Sequence, residues 1–276
     1  MDLKLVLCDI DGTLTHNDRT MGQNNIDAIN ALLNHGVMFG VASGRKAMEL
    51  REFVERWHLV RRPQVIIGMN GSEIWHEDSQ KLYDYYQLSC EQLKEIIGFM
   101  APLQLNPFMY KGNVMFCKEK DDWMAFSSKR NGKGIVTANS MEEFYDEPNA
   151  KVMFRVPEDK MNKYLEYSLK QCEGKTYTAF RTQPTLIEFE DRRANKGFGL
   201  LKVCELLDIK PENVMAFGDT SNDNEMLKEA GYAVCMCNGT DDTKALADEI
   251  TEIDHNHDGF ADYVNKRILQ PNGWMQ

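Results

Sequence analysis

The chain has 276 residues, 42% of them hydrophobic, which suffices for one large domain or two smaller ones with a sizeable core. Its 32 basic and 43 acidic residues give a formal net charge of −11, which argues against nucleic acid or an anionic membrane as a partner. The sequence shows no basic-then-apolar leader and no apolar run of roughly 20 residues, and its seven cysteines lack a disulfide-like spacing. We therefore expect a reduced, cytoplasmic protein.

The first predicted element is a buried strand that ends in two carboxylates. Residues 3–8 are almost wholly apolar, as is typical of a strand covered on both faces in a parallel sheet. Asp9 and Asp11 follow, and we expect them to converge because side chains two apart in a strand point the same way. Paired carboxylates favour a hard cation such as Mg²⁺. A plain hairpin is the alternative, since Asp11-Gly12 is also a turn signal.

Helices and strands then alternate along the chain. Helix 23–35 precedes strand 37–42, and helix 46–57 precedes strand 65–68. This order predicts the right-handed crossovers of a doubly wound, mostly parallel, Rossmann-like sheet.

The pattern changes after residue 71. Residues 74–75 and 82–86 predict an antiparallel pair, and Ser89 with Gln92 forms a capping box that opens a helix ending near Met100. Short strands separated by polar helices follow, at 114–117, 152–156, 177–180 and 186–189. We therefore predict a core of residues 1–84 and 187–276, interrupted by an inserted α+β cap domain of residues 85–186.

The parallel pattern resumes at Asn195. Its predicted elements are a helix at 196–207, a strand at 214–217, a helix from about 222, a strand at 232–236 and a helix from 241. The predicted fold class is α/β, with a doubly wound, mostly parallel core and an inserted α+β domain.

Polar residues follow several of these strands. They are Asp9 and Asp11, then Ser43-Gly44-Arg45, then Asp219 with Asn222 and Asp223. Open α/β sheets bind ligands beyond the carboxyl ends of their strands, so the coincidence indicates a site. Each motif alone also fits a structural role, because Ser43 and residues 220–223 suit the beginnings of helices.

Lys196 conflicts with its predicted position in the first turn of a helix, where the helix dipole disfavours a cation. Such local conflicts tend to mark functional sites. An anionic cleft would resolve the conflict, and a surface ion pair is the alternative.

Together these groups match what phosphoryl transfer requires. One carboxylate can act as the nucleophile, and a second can act as general acid and base. Mg²⁺, a lysine, a hydroxyl and backbone amides can neutralise the phosphoryl oxygens.

Four ordered motifs resemble those of the haloacid dehalogenase-like superfamily. They are Asp9-Ile-Asp-Gly-Thr13, Ser43-Gly-Arg45, Asn195-Lys-Gly197 and Gly218-Asp-Thr-Ser-Asn-Asp223. Three further features resemble the Cof-type sugar-phosphatase branch of this superfamily. They are the position of the insert, Asn70-Gly71, and the tail from Asn238-Gly-Thr240 to Ala247-Asp248.

The resemblance implies a Mg²⁺-dependent phosphatase of small phosphorylated metabolites, with sugar phosphates as the expected class. It implies Asp9 as the nucleophile and a metal ligand, and Asp11 as the general acid and base whose backbone carbonyl binds the metal. Asp219 would be the third protein ligand, and Asp223 would support the metal directly or through water.

The resemblance also implies how the phosphate is held. Ser43 with Gly44, Lys196 and Asn222 would bind it, Arg45 would touch the substrate, and the insert would be a mobile lid. A phosphomutase on the same core remains an alternative. A phospho-acceptor signalling domain is a second one, although Asp11 and the long insert argue against it.

Overall fold

The structure is a computed structural model that describes residues 2–274, apart from the side chains of residues 130 and 131. The chain divides into two compact units. The first combines the segment up to Tyr85 with the segment from Ala194 onward, and the second is Tyr86–Arg193.

The strands and helices alternate along much of the chain. The strands are β1 (Leu5–Asp9), β2 (Met38–Ala42), β3 (Val65–Gly68), β4 (Glu73–His76), β5 (Lys81–Asp84), β6 (Pro107–Lys111), β7 (Val114–Cys117), β8 (Gly134–Thr137), β9 (Lys151–Arg155), β10 (Tyr177–Gln183), β11 (Leu186–Asp191), β12 (Val214–Gly218), β13 (Tyr232–Cys235) and β14 (Glu249–Ile250). The α-helices are α1 (Gln23–Asn34), α2 (Ala47–Glu55), α3 (Cys90–Met100), α4 (Asp122–Asn131), α5 (Met161–Gln171), α6 (Lys196–Leu207), α7 (Asn224–Glu229), α8 (Asp241–Lys244) and α9 (Gly259–Val264).

The first unit is built on one sheet with the strand order β14-β13-β12-β1-β2-β3-β4-β5. The strands from β14 to β3 are parallel, and β4 and β5 add an antiparallel edge. The predicted mostly parallel sheet and the predicted antiparallel pair are therefore confirmed. β1 lies inside the sheet, so all of its residues are buried.

Helices cover both faces of this sheet. Val6 and Phe39 pack on one face with residues of α1, α2 and α9, whereas Leu5 and Leu7 pack on the other with residues of α6 and α7. The alternation of side chains along each strand therefore supplies two apolar cores, as a doubly wound sheet requires.

The second unit has its own sheet, in the order β10-β11-β9-β6-β7-β8. All its pairs are antiparallel except β7 with β8. Helices α3 and α5 pack on it through a separate apolar core that includes Ile96 and Met161. The predicted capping box is confirmed, because Ser89 Oγ accepts the Gln92 N–H and Gln92 Oε1 accepts the Ser89 N–H.

The first join between the units lies one residue from the predicted position, and the second differs more. The predicted boundary between residues 186 and 187 falls inside β11, whose residues pair with β9 and β10. The whole strand therefore belongs to the second unit. The role of this unit as a cap stays a prediction.

Within residues 2–274, no helix combines the length and the apolar character that crossing a bilayer requires.

Candidate functional site

The register of the first sheet brings several predicted residues to one edge. Asp9 is the last residue of β1 and pairs with Ala42 of β2, so Ser43 follows directly beside it. On the other side Cys8 pairs with Phe217 of β12, which places Gly218 and Asp219 at the same edge.

Lys196 joins this edge from the beginning of α6. Its side chain is completely buried, and Nζ lies 2.5 Å from Asp9 Oδ1 and 2.5 Å from Asp223 Oδ1. Asn195 caps the same helix by accepting the Phe198 N–H at its Oδ1 atom. The two carboxylates therefore compensate for the unfavourable position of a cation in a first helical turn.

Asp9, Asp219 and Asp223 form one carboxylate cluster. An oxygen atom from each lies within 4.8 Å of the others, and all three residues are buried. Thr13 Oγ1 donates to Asp219 Oδ1 at 3.1 Å. Gly12 has φ +91°, and a Cβ atom there would lie only 2.4 Å from Asp219 Oδ2. The turn after β1 therefore has to carry glycine for Asp219 to reach the cluster.

Asp223 combines a structural and an electrostatic role. Its Oδ2 atom accepts the N–H groups of Asp219 at 2.9 Å and Thr220 at 3.2 Å, which completes a capping box with Thr220. Its Oδ1 atom contacts Lys196. Asp223 therefore caps its helix and also belongs to the carboxylate cluster, while its role as a metal ligand stays a prediction.

The cluster holds three carboxylates against one ammonium group. Burial raises the pKa of Asp9 well above its usual value, and repulsion by Asp223 and Asp219 adds to this while Lys196 opposes it. Burial and then Asp223 raise the pKa of Asp219 to about 7. Burial disfavours the charge of Lys196, but Asp223 and Asp9 outweigh it and raise its pKa.

This donor set fits a divalent metal ion. Buried carboxylates whose pKa values rise through mutual repulsion are stabilised when a cation balances their charge. Carboxylate oxygens are also the ligands that Mg²⁺ prefers in proteins.

Asp11 does not converge with Asp9 in the way that the alternation of side chains along a strand predicts. β1 ends at Asp9, and the chain turns before Asp11, so the two residues no longer follow the alternation of one strand. The Asp11 side chain is 48% exposed and forms an ion pair with Arg45, with Nη2 at 2.6 Å from Oδ2. The carboxylate cluster consists of the other three aspartates.

Ser43, Gly44 and Arg45 form the loop between β2 and α2. Ser43 is buried, and its Oγ atom accepts the Arg45 N–H at 3.3 Å. The alternative helix-capping role of Ser43 is wrong, because the N-cap of α2 is Lys46. The guanidinium of Arg45 lies 5.2 Å from the ring centre of Phe53, which helps to orient it toward Asp11.

Asn222 lies exposed in the short turn Ser221–Asp223 that precedes α7. Its Oδ1 atom accepts the Thr220 hydroxyl at 2.7 Å. The turn therefore carries Asn222 at the same edge as Asp223 but on its solvent side.

Two further residues hold the loops of the cluster and did not stand out individually in the sequence. Thr13 orients Asp219, and Asn238 Nδ2 donates to the Gly12 carbonyl at 2.9 Å. The His255 N–H in turn donates to Asn238 Oδ1 at 3.1 Å. Both residues lie in the motifs that carry the resemblance, which is the signal that could have identified them.

Comparison with known proteins agrees with this architecture. The family model described as haloacid dehalogenase-like hydrolase matches residues 6–264. The chain is 30% identical over 269 residues to the 5-amino-6-(5-phospho-D-ribitylamino)uracil phosphatase YcsE of Bacillus subtilis (strain 168), covering 98% of this chain and 97% of that protein. It is 26% identical over 279 residues to the HMP-PP phosphatase of Yersinia pseudotuberculosis (serotype I, strain IP32953), covering 97% and 96%. The crystal structure of a haloacid dehalogenase-like hydrolase from Bacteroides thetaiotaomicron superposes with a TM-score of 0.85 at 24% identity, covering 96% and 99%.

Proposed function

Because this chain belongs to the haloacid dehalogenase-like hydrolases, as a phosphatase of the Cof type, we propose that it hydrolyses small phosphorylated metabolites with Mg²⁺ through a phospho-enzyme on Asp9. The observation that carries the proposal is the contact of one buried lysine with both Asp9 and Asp223 inside the carboxylate cluster. A phosphoryl group placed there would meet a nucleophile and a fixed positive charge together.

The first proposed step transfers the phosphoryl group to the protein. A carboxylate oxygen of Asp9 attacks phosphorus, the bond from phosphorus to the leaving oxygen breaks, and Asp11 gives that oxygen a proton. Burial raises the pKa of Asp9, and Lys196 together with the proposed metal ion would oppose that rise and favour the anionic form that attacks.

The second proposed step regenerates the enzyme. Asp11, now a carboxylate, takes a proton from water while the water oxygen attacks phosphorus. The bond between phosphorus and the Asp9 oxygen breaks, and inorganic phosphate leaves.

We assign the proposed metal to Asp9, Asp219, Asp223 and the backbone carbonyl of Asp11. When bound, Mg²⁺ would supply charge stabilisation to the phosphoryl oxygens. Ser43, the backbone beside Gly44, Lys196 and Asn222 would hold those oxygens, and Arg45 would contact the substrate. The partly exposed ion pair of Arg45 with Asp11 supports that assignment, since it lies where a ligand can reach it.

The proposed substrates are phosphate monoesters of polyol or sugar character. YcsE is named for 5-amino-6-(5-phospho-D-ribitylamino)uracil, which carries its phosphate on a ribityl chain. That compound and a panel of sugar phosphates are therefore the first substrates to test. We propose the second unit, residues 86–193, as the cap domain of the enzyme.

The test measures release of inorganic phosphate from p-nitrophenyl phosphate and from the panel, with Mg²⁺ and with EDTA. We expect steady Mg²⁺-dependent release that Asp9→Asn abolishes and that Asp27→Asn, an exposed change on α1, leaves intact. A ³²P label that both base and hydroxylamine release would indicate an acyl phosphate on Asp9, whereas a label that withstands either treatment would indicate another phospho-residue.

The outcomes separate the alternatives. Steady turnover by Asp9→Asn would overturn the nucleophile assignment, and full activity in Asp11→Asn would overturn the acid and base assignment. A phosphomutase would return the label to a second position of the sugar and release little inorganic phosphate.

A further inference from the structure

The turn between β3 and β4 has an unusual backbone. Met69, Asn70 and Gly71 have successive φ values of +47°, +52° and +105°. A left-handed conformation is unfavourable for most residues other than glycine, and asparagine is one of the few that tolerate it. Such conformations persist only where the surrounding structure imposes them, and they cluster at functional sites.

One side of this turn is bonded to the loop that carries Ser43. The Asn70 N–H donates to the Ser43 carbonyl at 3.1 Å, and the Met69 N–H donates to the Arg45 carbonyl at 2.8 Å. The Asn70 side chain lies beside Gly44, since a Cβ atom on Gly44 would be 3.2 Å from Asn70 Oδ1. The turn therefore supports the Ser43–Arg45 loop along its whole length.

The other side of the turn packs against the residue before Lys196. A Cβ atom on Gly71 would lie 2.2 Å from the Asn195 carbonyl oxygen. That oxygen also accepts the Gly199 N–H at 3.0 Å, and a Cβ atom on Gly199 would lie 3.3 Å from Gly71 Cα. Backbone meets backbone here, so a side chain at residue 71 would push the beginning of α6 away.

The strand after the turn adds another fixed point. Glu73 is buried in β4, and its Oε2 atom accepts the Ala47 N–H at 2.8 Å in the first turn of α2. The Ser43–Arg45 loop and the beginning of α2 that follows it are thus both hydrogen-bonded to the segment from Met69 to Glu73.

We propose that the Asn70-Gly71 turn is a positioning element that sets the distance between the Ser43 hydroxyl and the Lys196 ammonium group. The inference rests on the proposed function, in which these two groups hold the same phosphate. Asn70 supplies a left-handed residue with its N–H directed at Ser43, and Gly71 supplies the close approach to Asn195. Neither residue needs to touch the substrate for this role.

The test compares backbone variants by direct titration of inorganic phosphate in the presence of Mg²⁺. Asn70→Ala disfavours the left-handed conformation, and Gly71→Ala adds both strain and crowding. Asn70→Gly keeps the conformation accessible and serves as the rescue. Gly36→Ala is the matched control, because Gly36 has φ +81° with nothing within 4 Å of its Cβ position.

We expect Asn70→Ala and Gly71→Ala to weaken phosphate binding and kcat/KM by about tenfold to a hundredfold, as misplacement by about 1 Å does in other sites. We expect Asn70→Gly and Gly36→Ala to retain the phosphate affinity of the wild type, even where Gly36→Ala lowers the melting temperature. The half-saturating Mg²⁺ concentration should stay constant across the set, because the carboxylate cluster is not altered.

Two results would overturn the inference. One is wild-type phosphate affinity in folded Asn70→Ala and Gly71→Ala, and the other is an equal loss of affinity in Gly36→Ala. Failure of the proposed function looks different: the wild type would bind phosphate, and the variants would differ, yet no phosphate ester would be hydrolysed.

Discussion

At the level of single residues, Lys196 is the group on which the carboxylate cluster depends. It is fully buried and contacts Asp9 and Asp223 at 2.5 Å each. Removing one partner from a buried ionic group costs about 3–5 kcal/mol, because the remaining charge stays buried without compensation. We expect Lys196→Met to lower the free energy of unfolding by about this amount at neutral pH in EDTA and to abolish phosphatase activity.

The measurement is urea unfolding followed by circular dichroism, with Lys202→Met as the control on the same helix. Lys202 pairs with Glu205 near the surface at 2.7 Å, where such pairs are worth about 0–1 kcal/mol. Equal losses in the two variants would contradict the role given to Lys196.

Asp219 gives a second prediction, on metal binding. It belongs to the cluster through Thr13 and the close approach to Gly12. Asp219→Asn removes one charged ligand and also relieves repulsion, so we expect a higher melting temperature in EDTA and a smaller rise on adding Mg²⁺. Differential scanning fluorimetry over a Mg²⁺ series measures both effects.

The control for this change is Asp208→Asn, at an exposed position after α6 whose left-handed backbone suits either residue. It should respond to Mg²⁺ like the wild type. A full Mg²⁺ response in Asp219→Asn would exclude Asp219 from the metal site.

Of the site residues, some could be predicted from the sequence and others could not. The dipole conflict at Lys196 was visible without coordinates, and the structure resolves it with two carboxylates. The direction of Asp11 was not predictable, because it depends on where β1 ends and on Arg45 from a distant part of the chain. Alternation holds only while the chain stays in a strand.

At the level of elements, Glu77 connects the turn after β4 with α2. Its carboxylate accepts Trp75 Nε1 at 2.5 Å, Arg51 Nε at 3.2 Å and Arg62 Nη1 at 3.1 Å. Burial opposes its charge, but the hydrogen bonds from Trp75, Arg51 and Arg62 outweigh burial and lower the pKa of Glu77 to about 2.

This shift sets the sign of a pH effect. The unfolded state takes up the proton near the usual pKa of 4.5 and the native state only near 2, so the stabilisation is complete above 4.5 and is lost as pH falls toward 2. We expect Glu77→Gln to lower the free energy of unfolding at pH 7, and the difference from the wild type to shrink between pH 4.5 and 2. Urea titrations at about pH 7, 4 and 2.5 cover the interval between the two pKa values and measure this difference.

The neighbouring exposed acid provides the control, as Asp78→Asn. Its effect should be small at every pH. A Glu77→Gln difference that stays constant down to the lowest pH would show that packing, not charge, holds this connection.

Elements with strong local signals were predictable from the sequence. β3 and α6 have the predicted bounds, because an apolar run and a capping residue mark them locally. β6 was missed, since it begins at Pro107 and becomes a strand through pairing with β7 and β9. The assignment of β11 to a sheet likewise depends on pairing, and the sequence pattern of a strand does not name its partner.

At the level of the whole molecule, the proposed metal ligands all belong to the first unit, whereas the second unit has its own sheet and its own apolar cores. Units with separate cores generally unfold as separate cooperative transitions. A ligand stabilises only the native unit that binds it, by about 2.7 kcal/mol at a hundredfold excess over its Kd.

We therefore expect Mg²⁺ to raise the unfolding temperature of the first unit and to leave that of residues 86–193 nearly constant. Calorimetry with and without Mg²⁺ resolves the two transitions. Trp123 is the one tryptophan in the sequence of the second unit, whereas Trp57, Trp75 and Trp274 belong to the first, so the transition that loses its fluorescence change in Trp123→Phe is that of the second unit. In Asp219→Asn, the Mg²⁺-dependent shift of the first unit's transition should be smaller than in the wild type. A Mg²⁺ shift confined to the transition reported by Trp123 would place the metal outside the carboxylate cluster.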